Sequence, residues 1–316
     1  MSGDEWRGRA AWDDRRMQDW EYDADRLRSA RGMFPDLAAR LDAALARYGR
    51  SSSAGSSQER GPGTGSADDL DAWLDAGAAR LRSGEFAAAG FSEIVDSDAR
   101  TRAERDFAAA RTVAGWAGIE LPEPEAFAAA GIDLVRLGER LAADPDLVAV
   151  PAPFGLGREA WDELFVRAAE RFPTVLTGQR GLALSQEAER EFTLLDQPAA
   201  EAVIRVGGGV DERGTRTPSW TLRLIPASPA PPLLGLGFAH GPHVTLPEML
   251  MLQLSRLADG ESDPLDSNSF TWLAHPLGDG KLGARHIFDD AEGVVRVSTR
   301  GVFNQGPHMG ARQPVS

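Results

Sequence analysis

Residues 51–66, SSSAGSSQERGPGTGS, contain six serines and no large apolar side chain. A stretch with nothing to bury reads as a flexible linker, so the chain is expected to fold in at least two parts. Sixteen such residues have an r.m.s. span of roughly 20–25 Å. The linker separates an arm, residues 1–50, from a body, residues 67–316.

The arm carries ten acidic and ten basic side chains, with apolar residues at helical spacing. Met17, Trp20, Ala24 and Leu27 form one stripe; Gly32 and Pro35 interrupt it; Leu37, Leu41, Ala44, Leu45 and Tyr48 form a second. The pattern predicts a helical hairpin. Trp6, Trp12, Trp20 and Tyr22 are a heavy aromatic load for fifty residues, which by themselves can scarcely bury it. The arm therefore packs on the body, the preferred reading, or docks on a protein partner or a second copy of the chain.

The hydrophobic share of 42% can build a core. A net charge of −14 opposes general binding to a phosphate backbone, so no nucleic acid is expected as a partner. Lys281 is the only lysine; the arginine excess matches codon bias better than a dedicated anion surface. The absence of cysteine excludes disulfides, thiolate metal sites and cysteine nucleophiles. Met1–Asp14 is charged and lacks the apolar run of a signal peptide, and no stretch has membrane-spanning length, so the expected location is cytoplasmic with no membrane partner.

Residues 67–146 read as helical. One helix starts at Ser66 with Asp68 and Asp69 in its first turn; another carries Phe107, Ala110, Val113, Ala114 and Ala117 and ends at Gly118; a third holds Leu134, Leu137 and Leu141. Residues 147–316 read as mixed. Strands are expected at Leu147–Val150, Ala202–Val206, Trp220–Ile225 and Leu233–Phe238, and a helix at Arg158–Phe172. Thr245-Leu-Pro-Glu248 fits a capping box opening a helix that is apolar nearly all round. The fold class is therefore α+β: a helical arm and helical layer, then a mixed or antiparallel sheet ending in a β-hairpin, Ala284–Phe288 and Val294–Arg300.

Three sets of residues are candidates for chemistry. Gly155-Leu-Gly157-Arg-Glu-Ala160 fits G-x-G-x-x-A before a helix, but Pro151 and Pro153 suit a loop, so an ordinary connection is preferred to a dinucleotide turn. All five histidines fall in the last quarter. His240, His243 and His286 are metal candidates for a divalent ion activating water, although structural histidines are the better reading and no cofactor is favoured. In the hairpin, pairing Phe288 with Val294 would put Ile287, Val295 and Val297 on the core. His286, Arg296, Ser298 and Arg300 would then share a polar face able to take an anionic ligand, with a plain solvated face as the alternative. Glu187, Glu189 and Glu191 read as exposed helix charges after a Ser185 cap, and no serine sits in G-x-S-x-G.

The run from Ala284 to Arg300, the run from Asn304 to Arg312 and the segment Val150-Pro-Ala-Pro-Phe154 resemble uncharacterised actinobacterial hypothetical proteins, a domain of unknown function. That resemblance implies no activity. The leading expectation is a non-enzymatic binding or assembly protein docking through its arm. The alternative is a metal-dependent hydrolase or small-ligand enzyme with a histidine-bearing site near the C-terminus.

Overall fold

The computed structural model describes residues 90–199, 204–210 and 216–315. The arm, the linker, the first body helix and the docking candidates Trp6, Trp12, Trp20 and Tyr22 lie outside the described residues. Among the described residues are seven α-helices and nine strands in two sheets, the α+β class expected.

Helix α1, Ser97–Ala117, starts where the Asp96 carboxylate accepts the N–H groups of Asp98 and Ala99, and it stops at Gly118 in the left-handed region. Of the predicted stripe, Phe107, Ala110, Val113 and Ala114 are buried and Ala117 is half-buried; Ala99 and Ala103 extend the same face toward the N-terminus. Helices α2, Pro124–Ala129, and α3, Leu134–Ala143, follow. Phe127 of α2 packs edge-on to Phe107, with ring centroids 6.0 Å apart. The sequence reading missed α2, since six residues are too few to show a period.

Strand β1, Leu147–Phe154, continues through both prolines instead of ending at Val150. It lies at the edge of its sheet. The Ala149 N–H points away from the neighbouring strand, to Asp106 Oδ2 at 2.9 Å, and Gly155 N–H points to the Asp196 carbonyl. Pro151 and Pro153 share that alternation, so each lacks a donor where the ladder needs none. Helix α4, Arg158–Arg171, is as predicted to within one residue.

Strand β2, Leu182–Leu184, and the short helices α5, Gln186–Arg190, and α6, Phe192–Leu195, come next. Ser185 caps α5 as expected. The three glutamates are more than solvated charges: Glu187 accepts from Thr299, Glu189 pairs with Arg158, and Glu191 accepts the Gly278 N–H. Strand β3 is Val206–Val210, four residues beyond its predicted start, and β4 is Arg216–Pro226. Strand β5 is only Leu233–Leu234; residues 235–237 of the predicted strand are irregular, and Phe238 opens a 3₁₀ turn, Phe238–His240.

Helix α7, Leu246–Ala258, has the predicted capping box between Thr245 and Glu248. Its residues are buried on nearly every side, and it packs against α1 and β1. The residue just before its cap, Val244, bridges to Leu273 of strand β6, Phe270–Leu277. One helix thus ties together the antiparallel sheet β1-β4-β3 and a six-stranded mixed sheet in a shared core. The second sheet has the order β2-β8-β7-β6-β9-β5, where β7 is Leu282–Asp289, β8 is Val294–Gly301 and β9 is Met309–Ala311.

The terminal hairpin is present, but its register is one residue from the predicted one. Asp289 pairs with Val294, and Phe288 with Val295. The loop has four residues, because Asp289 serves as both ladder residue and turn cap. Its Oδ1 accepts the N–H groups of Ala291 and Glu292 at 3.2 Å. Gly293 closes the turn at φ 60°, donating to the Asp289 carbonyl, a conformation that favours glycine.

Candidate functional site

The register reassigns the hairpin faces. His286 pairs with Val297 and is fully buried on the core side with Ala284, Phe288 and Val295. It does not share a face with Arg296, Ser298 and Arg300, and Ile287 is not in the core. A one-residue slip exchanges every side-chain neighbour across a ladder, so Arg285 takes the place assigned to His286.

On the core side, His286 belongs to a sealed polar network. Its Nδ1 lies 2.9 Å from Asp266 Oδ2, while Nε2 is buried without a hydrogen-bond partner among the described residues. Asp266 Oδ1 accepts from Arg312 Nη2 at 2.5 Å. Arg312 also donates from Nε to Thr271 Oγ1 (3.1 Å) and from Nη1 to the carbonyls of Pro226 (2.9 Å) and Ser228 (2.8 Å). Its Nη2 reaches the Pro229 carbonyl as well, at 3.5 Å, so all five guanidinium N–H groups are used. Burial acts to raise the Asp266 carboxyl pKa, but the charge of Arg312 and the His286 hydrogen bond outweigh it and hold it below the ordinary value. An Asp–His pair can orient a general base. Here Asp266, His286 and Arg312 are all fully buried, which gives the pair a structural role.

Three other histidines are held by backbone. His240 Nδ1 lies 3.1 Å from the Gly237 carbonyl, His243 Nε2 lies 2.7 Å from the Phe238 carbonyl, and His275 Nε2 lies 3.0 Å from the Gln197 carbonyl. Burial lowers the pKa of His243. His240, His243 and His286 therefore do not form the metal site considered from sequence, because His286 faces the core and the other pair lies in the turn carrying Phe238. Among the described residues no group of three or more His, Asp or Glu side chains is placed to hold a metal ion.

The Gly155–Gly157 loop does open a helix, but the chain supplies its own anion there. Asp196 Oδ2 accepts the Gly157 N–H at 2.8 Å, the position a phosphate oxygen takes at a dinucleotide turn. The Asp196 carboxyl is 3% exposed, and burial pushes its pKa up to about 6 against the N–H groups of Gly157 and Gly155. The folded state then binds more protons than the unfolded state between pH 4 and 6, so this group's contribution to stability falls as pH rises through that window. Above it, ionised Asp196 costs on the order of 3 kcal/mol. Asp196→Asn is expected to raise the urea midpoint relative to wild type, by a margin that grows from pH 5 to 7 and then levels off. A margin independent of pH would show the carboxyl to titrate as an ordinary surface acid.

The outer face of the six-stranded sheet holds the remaining candidates. Arg296 is paired with Asp289 at 3.0 Å and with Glu292 at 2.6 Å. Arg285 lies flat on Phe270, its Cζ 3.8 Å from the ring centroid, and donates from Nε to Ser298 Oγ at 3.0 Å. Arg300 is exposed, and the residue opposite it is Gly283. A Cβ on Gly283 would come within 2.6 Å of Phe238 Cδ2 and 2.9 Å of Trp272 Cζ3, so only glycine lets Phe238 cover Trp272 there.

No family model, curated protein or solved structure matches the chain. Sequence reasoning missed Asp266, Arg285, Arg312 and Asp196. Arg285 was recoverable from the correct turn length. The other three lie in irregular segments or beyond a short strand, where no period marks a buried charge. No helix among the described residues is long and apolar enough to cross a membrane.

Proposed function

We propose that this chain is a cytoplasmic, non-enzymatic binding or assembly protein, with the aromatic residues of 1–50 docking on a protein partner or a second copy. The observation that carries this reading is the destination of the histidines and their neighbours. His240, His243 and His275 each contact a backbone carbonyl, and His286 is locked to Asp266 within the core. These side chains, the source of the hydrolase alternative, are engaged in holding turns and strands together. The aromatic supply before the linker is left as the feature that calls for a surface to cover, and buried aromatic anchors dominate docking energies.

Deletion of residues 1–66 tests the proposal. The shortened chain is expected to keep a cooperative thermal unfolding transition and to lose self-association or partner capture, as measured by light scattering and pull-down. An unchanged number of chains per particle together with unchanged partner binding would remove the docking role. Stoichiometric zinc, manganese or iron in the purified full chain would favour the hydrolase alternative instead.

A further inference from the structure

The geometry points to an oxyanion-binding site on the outer face of the six-stranded sheet, where Arg285 and Arg300, beside the Ser298 hydroxyl, take a phosphate or polycarboxylate group. Arg285 is opposite Ser298, and Arg300 is two residues along the same strand, opposite Gly283. The two arginines are therefore diagonal cross-strand neighbours, for which Cα atoms lie roughly 7–8 Å apart. Like charges at that spacing repel, and a chain of net charge −14 has acids in excess to relieve them. Among the described residues neither arginine has a carboxylate partner, whereas Arg296 on the same face has two.

The arrangement is also preorganised. Stacking on Phe270 and the bond from Nε to Ser298 fix the Arg285 guanidinium, leaving both Nη groups without a partner among the described residues. Ser298 Oγ accepts from Arg285, so its own O–H remains available to donate. Burial, and then the charge of Arg300, push the Arg285 pKa down to about 10, as expected of two cations lacking an anion between them. Planar guanidinium forks match the paired oxygens of phosphate and carboxylate groups. Arg285, Ser298 and Arg300 all lie in the sequence after the linker, so substitutions at this site leave the docking residues unchanged and its anion binding can be scored independently of docking.

Isothermal titration calorimetry of the full chain at low ionic strength, with pyrophosphate and separately with citrate, tests the site. Saturable binding of at least one anion is expected, weakened at least tenfold in Arg300→Gln and in Arg285→Gln and unchanged in Arg296→Gln. Tighter binding of pyrophosphate would identify a phosphate ligand, and tighter binding of citrate a carboxylate one; either supports the site. Arg300 is exposed, so its variant is expected to fold with an unchanged melting temperature. Failure of both anions to saturate would overturn the inference. So would wild-type affinity in Arg300→Gln, or an equal loss in Arg296→Gln, which would mark unspecific charge attraction.

Discussion

Arg312→Met is expected to lower the unfolding free energy by about 3–5 kcal/mol, the range for removing one partner of a buried ion pair. The substitution keeps an unbranched apolar stem but removes the guanidinium and its five donors at once. The carbonyls of Pro226, Ser228 and Pro229 lose their shared partner, and Asp266 is left as a buried carboxylate held by the His286 imidazole and the Ser269 hydroxyl, with no cation paired to it. Because these groups belong to the β4–β5 connection, β6 and the segment before it, the loss falls on the joint between the two sheets. Typical domains are stable by about 5–15 kcal/mol in total, so the variant should sit near the edge of folding. The effect should also depend on pH. Without the Arg312 charge, burial is left to raise the Asp266 carboxyl pKa, so the folded variant gains a proton that the unfolded chain lacks. The deficit against wild type is therefore greatest near neutrality and shrinks as the pH falls toward 5. Urea denaturation of both proteins between pH 5 and 8 measures it. A midpoint loss that is small, or equal at every pH, would show that the Asp266 charge does not depend on Arg312.

Much of the fold was legible because long elements repeat their own reason for existing. The α1 stripe, the Thr245 capping box and the all-round apolar α7 each announce themselves over several turns. The terminal hairpin was legible as a hairpin, but its faces were not. Asp289 can end a turn or pair in a ladder, and only the observed bonds of its side chain to Ala291 and Glu292 select the four-residue loop. That single residue decided whether His286 faced an anion or the core. The prolines of β1 misled for a related reason, since a proline argues against a strand only where its missing donor would have entered the ladder. The candidate anion site was half visible: Ser298 and Arg300 were named, and their partner Arg285 was one position away. Asp266 and Arg312 were hidden more deeply, because a buried charge in an irregular segment leaves no pattern until its partner, 46 residues away in the chain, is placed beside it.

The pair Arg223–Glu248 makes the complementary prediction. Arg223 of β4 holds Glu248 of α7 through two bonds, Nε to Oε1 at 2.6 Å and Nη2 to Oε2 at 2.5 Å, with Glu248 fully buried. Oε2 also accepts the N–H and the hydroxyl of Thr245 at 2.9 and 2.7 Å, so one carboxylate both caps the helix and anchors it to the smaller sheet. Glu248→Leu should therefore cost about 3–5 kcal/mol, since it strands a guanidinium in the core and leaves the Thr245 N–H unmet. Arg223→Met together with Glu248→Leu should cost less than Glu248→Leu alone, because the stranded cation is removed and the space is filled by apolar atoms. The remaining deficit, about 1 kcal/mol, is the value of the lost cap. A double-mutant cycle read by urea denaturation separates the two contributions. Additive losses would mean that the two side chains are neighbours without being energetic partners. A strong favourable coupling would show that the pair holds α7 against β4 by more than the apolar packing around it.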